Sequence, residues 1–169
     1  TLARVDEFRA LVRPVERPAL TPFCTRLTSL AQADVDGAAP LADALARFGE
    51  WLGAHGLRDE RASAVLPVTC GDWDLRTQLP RECARKRLGP VPALLRRWCN
   101  VKTAFAAAGL PGHRKAPGMA GMLAALGLPL VGHHHLGIDD SRNIASIVGE
   151  LAIRGALIEQ TGTTRPPPP

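Results

Sequence analysis

A loop followed by a helix near residue 140 constrains the fold more than any other feature of the sequence. Apolar residues recur at helical spacing along one face after this point: Ile144, Ile147, Val148 and Leu151. Asp140 precedes them and suits a helix start, where the backbone amides of the first turn lack partners. His135 is therefore expected on a short loop, with Asp140 at the mouth of the helix. A carboxylate near an imidazole can hold a divalent metal and transfer a proton.

Two more histidines come directly before His135 and leave a second kind of metal site open. His133 and His134 add imidazole donors, which suit zinc and other transition metals. Three successive side chains on an extended loop cannot all point one way, which disfavours a zinc-like cluster. Asp139 is expected to cap the helix or to face solvent.

The overall composition is that of an ordinary globular domain. The chain has 169 residues, of which 46% are hydrophobic and 22% charged, enough for a single core. A net charge of +5 permits a polyanionic partner without demonstrating one. No run is long and apolar enough to cross a membrane, and no signal-peptide pattern occurs, so we expect no membrane association.

The four cysteines lie far apart and form no C-x-x-C pair. This spacing disfavours a zinc knuckle. Reduced, isolated thiols are typical of intracellular proteins. The sequence therefore predicts an intracellular location, cytoplasmic, nuclear or both.

Hydrophobic spacing and turn residues divide the chain into helices and strands. Helices are predicted over residues 40–52, 75–88, 92–98, 118–126 and 140–154. Gly127 is placed to end one of these helices as a C′ glycine. Strands are predicted over residues 2–12, 64–69 and 156–161, and a disordered proline-rich tail over residues 163–169.

Two acidic residues, Asp72 and Asp74, follow the predicted strand at residues 64–69. A strand that leads into Gly and acidic residues and then a helix commonly presents a carboxylate at a sheet edge. An aspartate in such a place is also a common helix N-cap. The pattern by itself leaves both roles open.

Basic and aromatic side chains follow in the next predicted helices. The basic residues are either a solvated helix face or a row of contacts to the phosphates of a nucleic-acid strand: Arg76, Arg81, Arg85, Lys86 and Arg87. Trp73, Trp98 and Phe105 could stack on bases. With only three Trp and four Phe in the chain, core packing is favoured for each of them.

The residues from His135 to Ala145 form the sequence H-L-G-I-D-D-S-R-N-I-A. This stretch resembles the H-x-G-[IL]-D-D-[CS]-[KR]-N-I-A motif of the Eri-type 3′–5′ exoribonucleases, a branch of the DEDDh exonucleases. G-D-W-D at residues 71–74 and W-C-N-V-K at residues 98–102 resemble two further motifs of that branch. The resemblance implies an RNase H-like α/β domain over residues 1–162, with a mixed β-sheet flanked by helices and its first strand missing.

The resemblance also implies a chemistry and roles for particular residues. Hydrolysis at RNA 3′ ends would use two Mg²⁺ or Mn²⁺ ions, held by Asp140 and Asp74, with His135 as general base. Asp72 is the alternative to Asp74. Weaker substrate contacts are implied for Trp73, Arg76 and Lys102.

One part of the family pattern does not occur in these 169 residues. DEDDh enzymes also carry a D-x-E motif on their first strand, and the sequence contains none. The start at Thr1 rather than Met favours a fragment of an active enzyme, which would be inactive alone. The other possibilities are a catalytically inactive RNA-binding relative and a DNA-directed 3′–5′ exonuclease.

Overall fold

The computed structural model describes residues 2–57, 64–109 and 117–164. The chain divides into two compact units. Unit 1 consists of Thr1–Arg61 and Val131–Arg142, and unit 2 of Ala62–Leu130 and Asn143–Pro169. No helix among the described residues is long and apolar enough to cross a membrane.

Unit 1 is built from short helices. Thr21 caps the first of them, since its hydroxyl accepts the Cys24 amide, and Pro22 occupies the first turn, where a missing N–H costs nothing. The third helix, predicted from its apolar face, buries Ala44 and Leu52. The three are α1 (Pro22–Thr28), α2 (Gln32–Asp36) and α3 (Leu41–Ala54).

The predicted strand over residues 2–12 is wrong. Residues 2–11 have no regular secondary structure, and Val12 forms only a single bridge with Ala39. The segment instead packs its aromatic ring on α3, with the Phe8 and Phe48 ring centroids 5.4 Å apart. Charged residues interrupt the alternation that a strand would need, so side-chain contacts with α3 fix this segment.

Unit 2 contains a mixed three-stranded sheet with the strand order β1-β2-β3. The strands are β1 (Val68–Thr69), β2 (Arg97–Asn100) and β3 (Gly162–Thr163). Strands β1 and β2 run parallel, and β2 and β3 antiparallel. The α/β class with a mixed sheet flanked by helices is thereby confirmed.

Two strand predictions are corrected in their extent. The strand expected over residues 64–69 is confined to its last two residues. The closing strand is β3, not residues 156–161, so Thr163 pairs in the sheet rather than starting a tail. The proline-rich end of the predicted tail, residues 165–169, lies outside the described residues.

All but one of the remaining helices correspond to predicted ones. The helix expected over residues 75–88 forms in two parts and ends at Arg85: a π-helical turn at Asp74–Gln78 and α4 (Leu79–Arg85). The helix expected over residues 92–98 is only a 3-10 turn at Ala93–Arg96, because the next residues enter β2. Helices α6 (Met119–Leu126) and α7 (Gly137–Ile153) correspond to predicted helices, whereas α5 (Val101–Ala107) is not among them. As predicted, α6 ends at Gly127, whose φ is 74°.

The hydrophobic core of unit 2 lies between α5, α6 and the later turns of α7. Trp98 and Phe105 are fully buried, as favoured from the sequence, whereas Trp73 is 57% exposed. Asn143 is the one buried polar residue among the described residues. The core residues are Cys99, Val101, Ala104, Phe105, Met119, Met122, Leu123, Leu126, Ile147 and Leu151.

Candidate active site

The segment from Gly132 to Leu136, here called the histidine loop, leads directly into α7. Helix α7 begins at Gly137, so Asp139 and Asp140 lie within its first turn and not at its mouth as predicted. From there each carboxylate reaches back to a loop amide. His133 N–H donates to Asp139 Oδ2 at 2.9 Å, and His135 N–H donates to the two oxygens of Asp140 at 3.1 and 3.2 Å. The positive end of the helix dipole also favours both carboxylates.

His135 adopts a backbone conformation that residues other than glycine seldom adopt. Its φ is 76°, in the left-handed region. Such a conformation persists only where the surroundings impose it. The hydrogen bonds from the His135 amide to the Asp140 carboxylate, here called an amide clamp, supply one such restraint.

As the sequence predicts, the three histidine side chains do not all point in the same direction. The His133 ring lies against the carbonyl oxygen of Leu27, with Nε2 at 3.0 Å. The rings of His134 and His135 stack, with centroids 3.9 Å apart and planes 8° from parallel. His135 is exposed, whereas His134 beside it is partly buried.

Three donor groups in unit 1 could hold a metal ion. His134, His135 and Asp140 each offer a ligand atom, and these atoms lie within 4.8 Å of one another. The carboxylate fits a hard ion such as Mg²⁺, and the imidazoles fit transition metals. Because a carboxylate has about four lone-pair sites, Asp140 can accept the loop amide and still bind a metal.

Asp139 neither caps α7 nor faces solvent, contrary to the prediction. Its side chain is only 13% exposed and accepts Arg142 Nη1–H at 3.1 Å. Arg142 also makes a bidentate pair with Glu7, and this hydrogen bonding lowers the pKa of Glu7. Sequence reasoning missed Glu7 and Arg142, since nothing local signals a contact between residues 135 positions apart.

The second group of predicted site residues lies in unit 2, around Asp74. The Asp74 carboxylate is exposed and makes no hydrogen bond or ion pair with the described residues. Trp73 beside it exposes 57% of its surface. Lys102 is half-buried in the first turn of α5, where its amide donates to Asn100 Oδ1.

Asp72, the alternative catalytic aspartate, is occupied with structural contacts. Its Oδ1 accepts Trp98 Nε1–H at 2.8 Å and the Asn100 side-chain amide at 3.3 Å. Its Oδ2 pairs with Arg76 at 3.3 Å. These contacts favour Asp74 for the metal-binding role.

The mixed α/β fold carries carboxylates and an imidazole at the start of a helix, a set of groups that suits metal-assisted hydrolysis. The chain belongs to the exonuclease family, because a family profile described as "Exonuclease" matches residues 2–148. The exonuclease family implied by the histidine motif is thereby confirmed.

Similarity to individual proteins points to one branch of that family. The chain is 43% identical over 161 residues to ERI1 exoribonuclease 3 of Homo sapiens, covering 95% of this chain and 47% of the relative. It is 36% identical over 174 residues to ERI1 exoribonuclease 2 of Danio rerio, covering 95% and 30%. The chain thus spans about half or less of the length of the curated relatives it matches.

Solved structures agree with the fold. One, described as 3′-end-specific recognition of a histone mRNA stem-loop by a 3′-exonuclease, has a TM-score of 0.88 at 25% identity, covering 97% of this chain and 55% of that one. The nuclease domain of 3′hExo, a DEDDh family member bound to rAMP, has a TM-score of 0.81 at 27% identity, covering 90% and 74%. DEDDh exonucleases generally use divalent metals.

Proposed function

We propose that the protein is a 3′–5′ exoribonuclease that removes nucleotides from RNA 3′ ends with the help of two Mg²⁺ or Mn²⁺ ions. One observation carries the proposal. His135 and Asp140, the histidine and aspartate of the family motif, are joined through the His135 amide within the matched residues. An imidazole and a metal-binding carboxylate in fixed relation suit hydrolysis of a phosphodiester.

Each residue has a distinct part in this proposal. Asp140 and Asp74 would hold the metal ions, which when bound supply neutralising charge and a more acidic water. His135 takes the proton of the attacking water, since a neutral imidazole nitrogen can accept one. Its stacking on His134 and the clamp on its amide limit the directions in which the ring can point.

Substrate contacts are proposed for three side chains of unit 2. The exposed indole of Trp73, next to Asp74 in sequence, offers a stacking surface for a base. Arg76 and Lys102 provide positive charge for phosphates, as does the net charge of +5. Because Arg76 already pairs with Asp72, its contribution is expected to be the weakest.

The test uses the full-length protein and a single-stranded RNA labelled at its 5′ end. We expect a ladder of labelled products that are shortened from the 3′ end. EDTA should abolish this cleavage, and added Mg²⁺ or Mn²⁺ should restore it. A phosphorothioate at the 3′-terminal linkage of the RNA should block it. RNA that is bound but not shortened would contradict the proposal and favour the inactive RNA-binding alternative. Faster cleavage of DNA of the same sequence would favour the DNA-directed alternative.

The proposed location is intracellular. None of the four cysteines, Cys24, Cys70, Cys83 and Cys99, forms a disulfide bond. Cysteines without disulfide bonds support a reducing compartment. Fractionation of cells that express the tagged full-length protein tests this proposal.

A further inference from the structure

We propose that Glu7, Arg142 and Asp139 form a positioning chain that fixes the histidine loop and thereby orients His135. The inference deepens the proposed function and rests on it for its catalytic part. None of the three residues would touch the RNA or the reacting water; each acts through the next. The chain links a segment near residue 7 to the backbone two residues before His135.

The contacts form a continuous path in unit 1. Arg142 Nε and Nη2 donate to the two oxygens of Glu7 at 2.9 and 2.8 Å, a bidentate pair. Its remaining terminal nitrogen, Nη1, donates to Asp139 Oδ1 at 3.1 Å. The other oxygen of Asp139 accepts the His133 amide at 2.9 Å. Only an arginine presents a rigid fork that can satisfy two carboxylates in this way.

The space around Asp139 leaves little freedom for the loop. A Cβ added at Gly132 would lie 2.3 to 2.8 Å from the Asp139 carboxylate atoms. The φ of Gly132 is 76°, in the region that favours glycine. The loop backbone therefore rests directly on the carboxylate, and a shift of Asp139 must move the loop.

The loop also has reason to need such support. His135 is exposed and its backbone is in the left-handed region, so burial does not hold it and its own preferences oppose its conformation. Two amide clamps oppose that tendency, from Asp140 at His135 and from Asp139 at His133. Asp140 is also the proposed metal ligand, which leaves Asp139 as the clamp dedicated to position.

Kinetics of single variants test the catalytic part. We expect Glu7→Gln, Arg142→Gln and Asp139→Asn each to lower kcat by about ten- to a hundredfold with KM changed less than about twofold, since small misplacements of a catalytic group are costly. Arg142→Lys should not rescue, because an ammonium cannot bridge both carboxylates. The matched control is Glu150→Gln, which removes an exposed ion pair with Arg154 from the same helix and should leave kcat unchanged.

A double variant tests whether the residues act as one chain. Glu7→Gln combined with Arg142→Gln should be no slower than Arg142→Gln alone, since both break the same path. Multiplied losses in the double variant would overturn the chain. Unchanged kcat in the single variants would overturn it as well.

Hydrogen–deuterium exchange of residues 131–136 separates this inference from the proposed function. We expect the loop amides to exchange up to about tenfold faster in the three variants than in the wild type or Glu150→Gln, the scale of one lost hydrogen bond. Unchanged exchange, or equal acceleration in the control, would overturn the inference. If the wild type cleaves no RNA, the proposed function fails, while the exchange data still decide whether Glu7, Arg142 and Asp139 fix the loop.

Discussion

Two aspartates separated by one residue, Asp72 and Asp74, differ in what their carboxylates contact. Asp72 satisfies the indole N–H of the fully buried Trp98, whereas Asp74 is exposed without a partner among the described residues. A buried donor left without an acceptor is costly, so Asp72 stabilises the folded state. An exposed carboxylate without such a duty is available to a metal ion.

Substitutions at these aspartates should therefore have opposite signatures. Asp74→Asn should slow RNA cleavage by about a hundredfold or more, the scale of losing one group that stabilises charge, with the unfolding midpoint unchanged. Asp72→Ala should lower the free energy of unfolding by about 1–3 kcal/mol, since it leaves the Trp98 N–H unsatisfied. Cleavage rates and urea unfolding of both variants check this. If Asp74→Asn is destabilised but cleaves RNA normally, Asp74 has the structural role and the assignment is wrong.

His135 can be tested separately from RNA binding. We expect His135→Ala to slow cleavage by about 10²- to 10⁴-fold, the usual contribution of a general base, with the Kd for RNA nearly unchanged. His55→Ala, directly after the end of α3, is the control, because that ring pairs with Asp6 and lies outside the histidine loop. Single-turnover cleavage and RNA titration measure the two quantities; an unchanged rate in His135→Ala would reject the general-base role.

At the scale of elements, side-chain contacts rather than backbone pairing hold the irregular parts of the chain. Residues 2–11 have no strand partner, yet the Asp6 carboxylate accepts Trp51 Nε1–H and contacts His55 Nε2, both at 2.7 Å. These two hydrogen bonds are the main causes that lower the pKa of Asp6. The anchor of the segment on α3 should consequently depend on pH.

The sign of that dependence follows from the lowered pKa of Asp6. The folded state favours the ionised carboxyl, so the stabilisation is complete above the unfolded value near 4 and is lost as pH falls through the lower folded value. The free energy of unfolding of the wild type should therefore exceed that of Asp6→Asn by its full amount at pH 5. Below pH 4 this difference should become smaller. Urea unfolding across this range checks it.

A second variant controls the interpretation of that pH series. Trp51→Phe keeps an aromatic ring but removes the first hydrogen bond to Asp6, so its own loss of stability on acidification should be smaller than that of the wild type. An equal loss in Trp51→Phe and the wild type would show that other carboxyl groups cause the acid sensitivity.

The pairing of β2 with β3 depends on a glycine that packs on the buried tryptophan. A Cβ added at Gly162 would lie 2.3 to 2.5 Å from indole atoms of Trp98. Gly162→Ala should lower the free energy of unfolding by about 1–3 kcal/mol, the usual cost of overpacking. Gly149→Ala, where nothing lies within 4 Å of an added Cβ, should instead stabilise α7 by about 0.5–1 kcal/mol. Denaturant unfolding of both variants checks the opposite signs.

At the scale of the whole molecule, local sequence patterns predict helices better than they predict contacts between distant residues. The apolar periodicity of α3 and α6 and the C′ glycine at Gly127 were readable because each depends on neighbouring residues. The histidine motif likewise indicated the family because its residues are contiguous. The division into a domain over residues 1–162 and a tail over residues 163–169 stays a prediction, apart from Thr163, which pairs in β3.

Long-range features could not be predicted in this way. The Glu7–Arg142 pair joins residues 135 positions apart, and β3 is only two residues long, too short for a periodic pattern. The start of α7 at Gly137 is not predicted from the sequence, because Asp139 and Asp140 resemble N-cap residues although they lie within the first turn. In each case tertiary contacts determine what local propensity leaves open.

The most direct test of the account is cleavage of a 5′-labelled RNA by the full-length protein and its Asp140→Asn variant, with Mg²⁺ or Mn²⁺ and with EDTA. The asparagine can still accept the His135 amide but carries no charge for a metal ion. We predict 3′-shortened products from the wild type with metal only, and a loss of at least about a hundredfold in Asp140→Asn. Cleavage that survives EDTA, or that proceeds normally in Asp140→Asn, would contradict a metal-dependent exoribonuclease built on the histidine loop and α7.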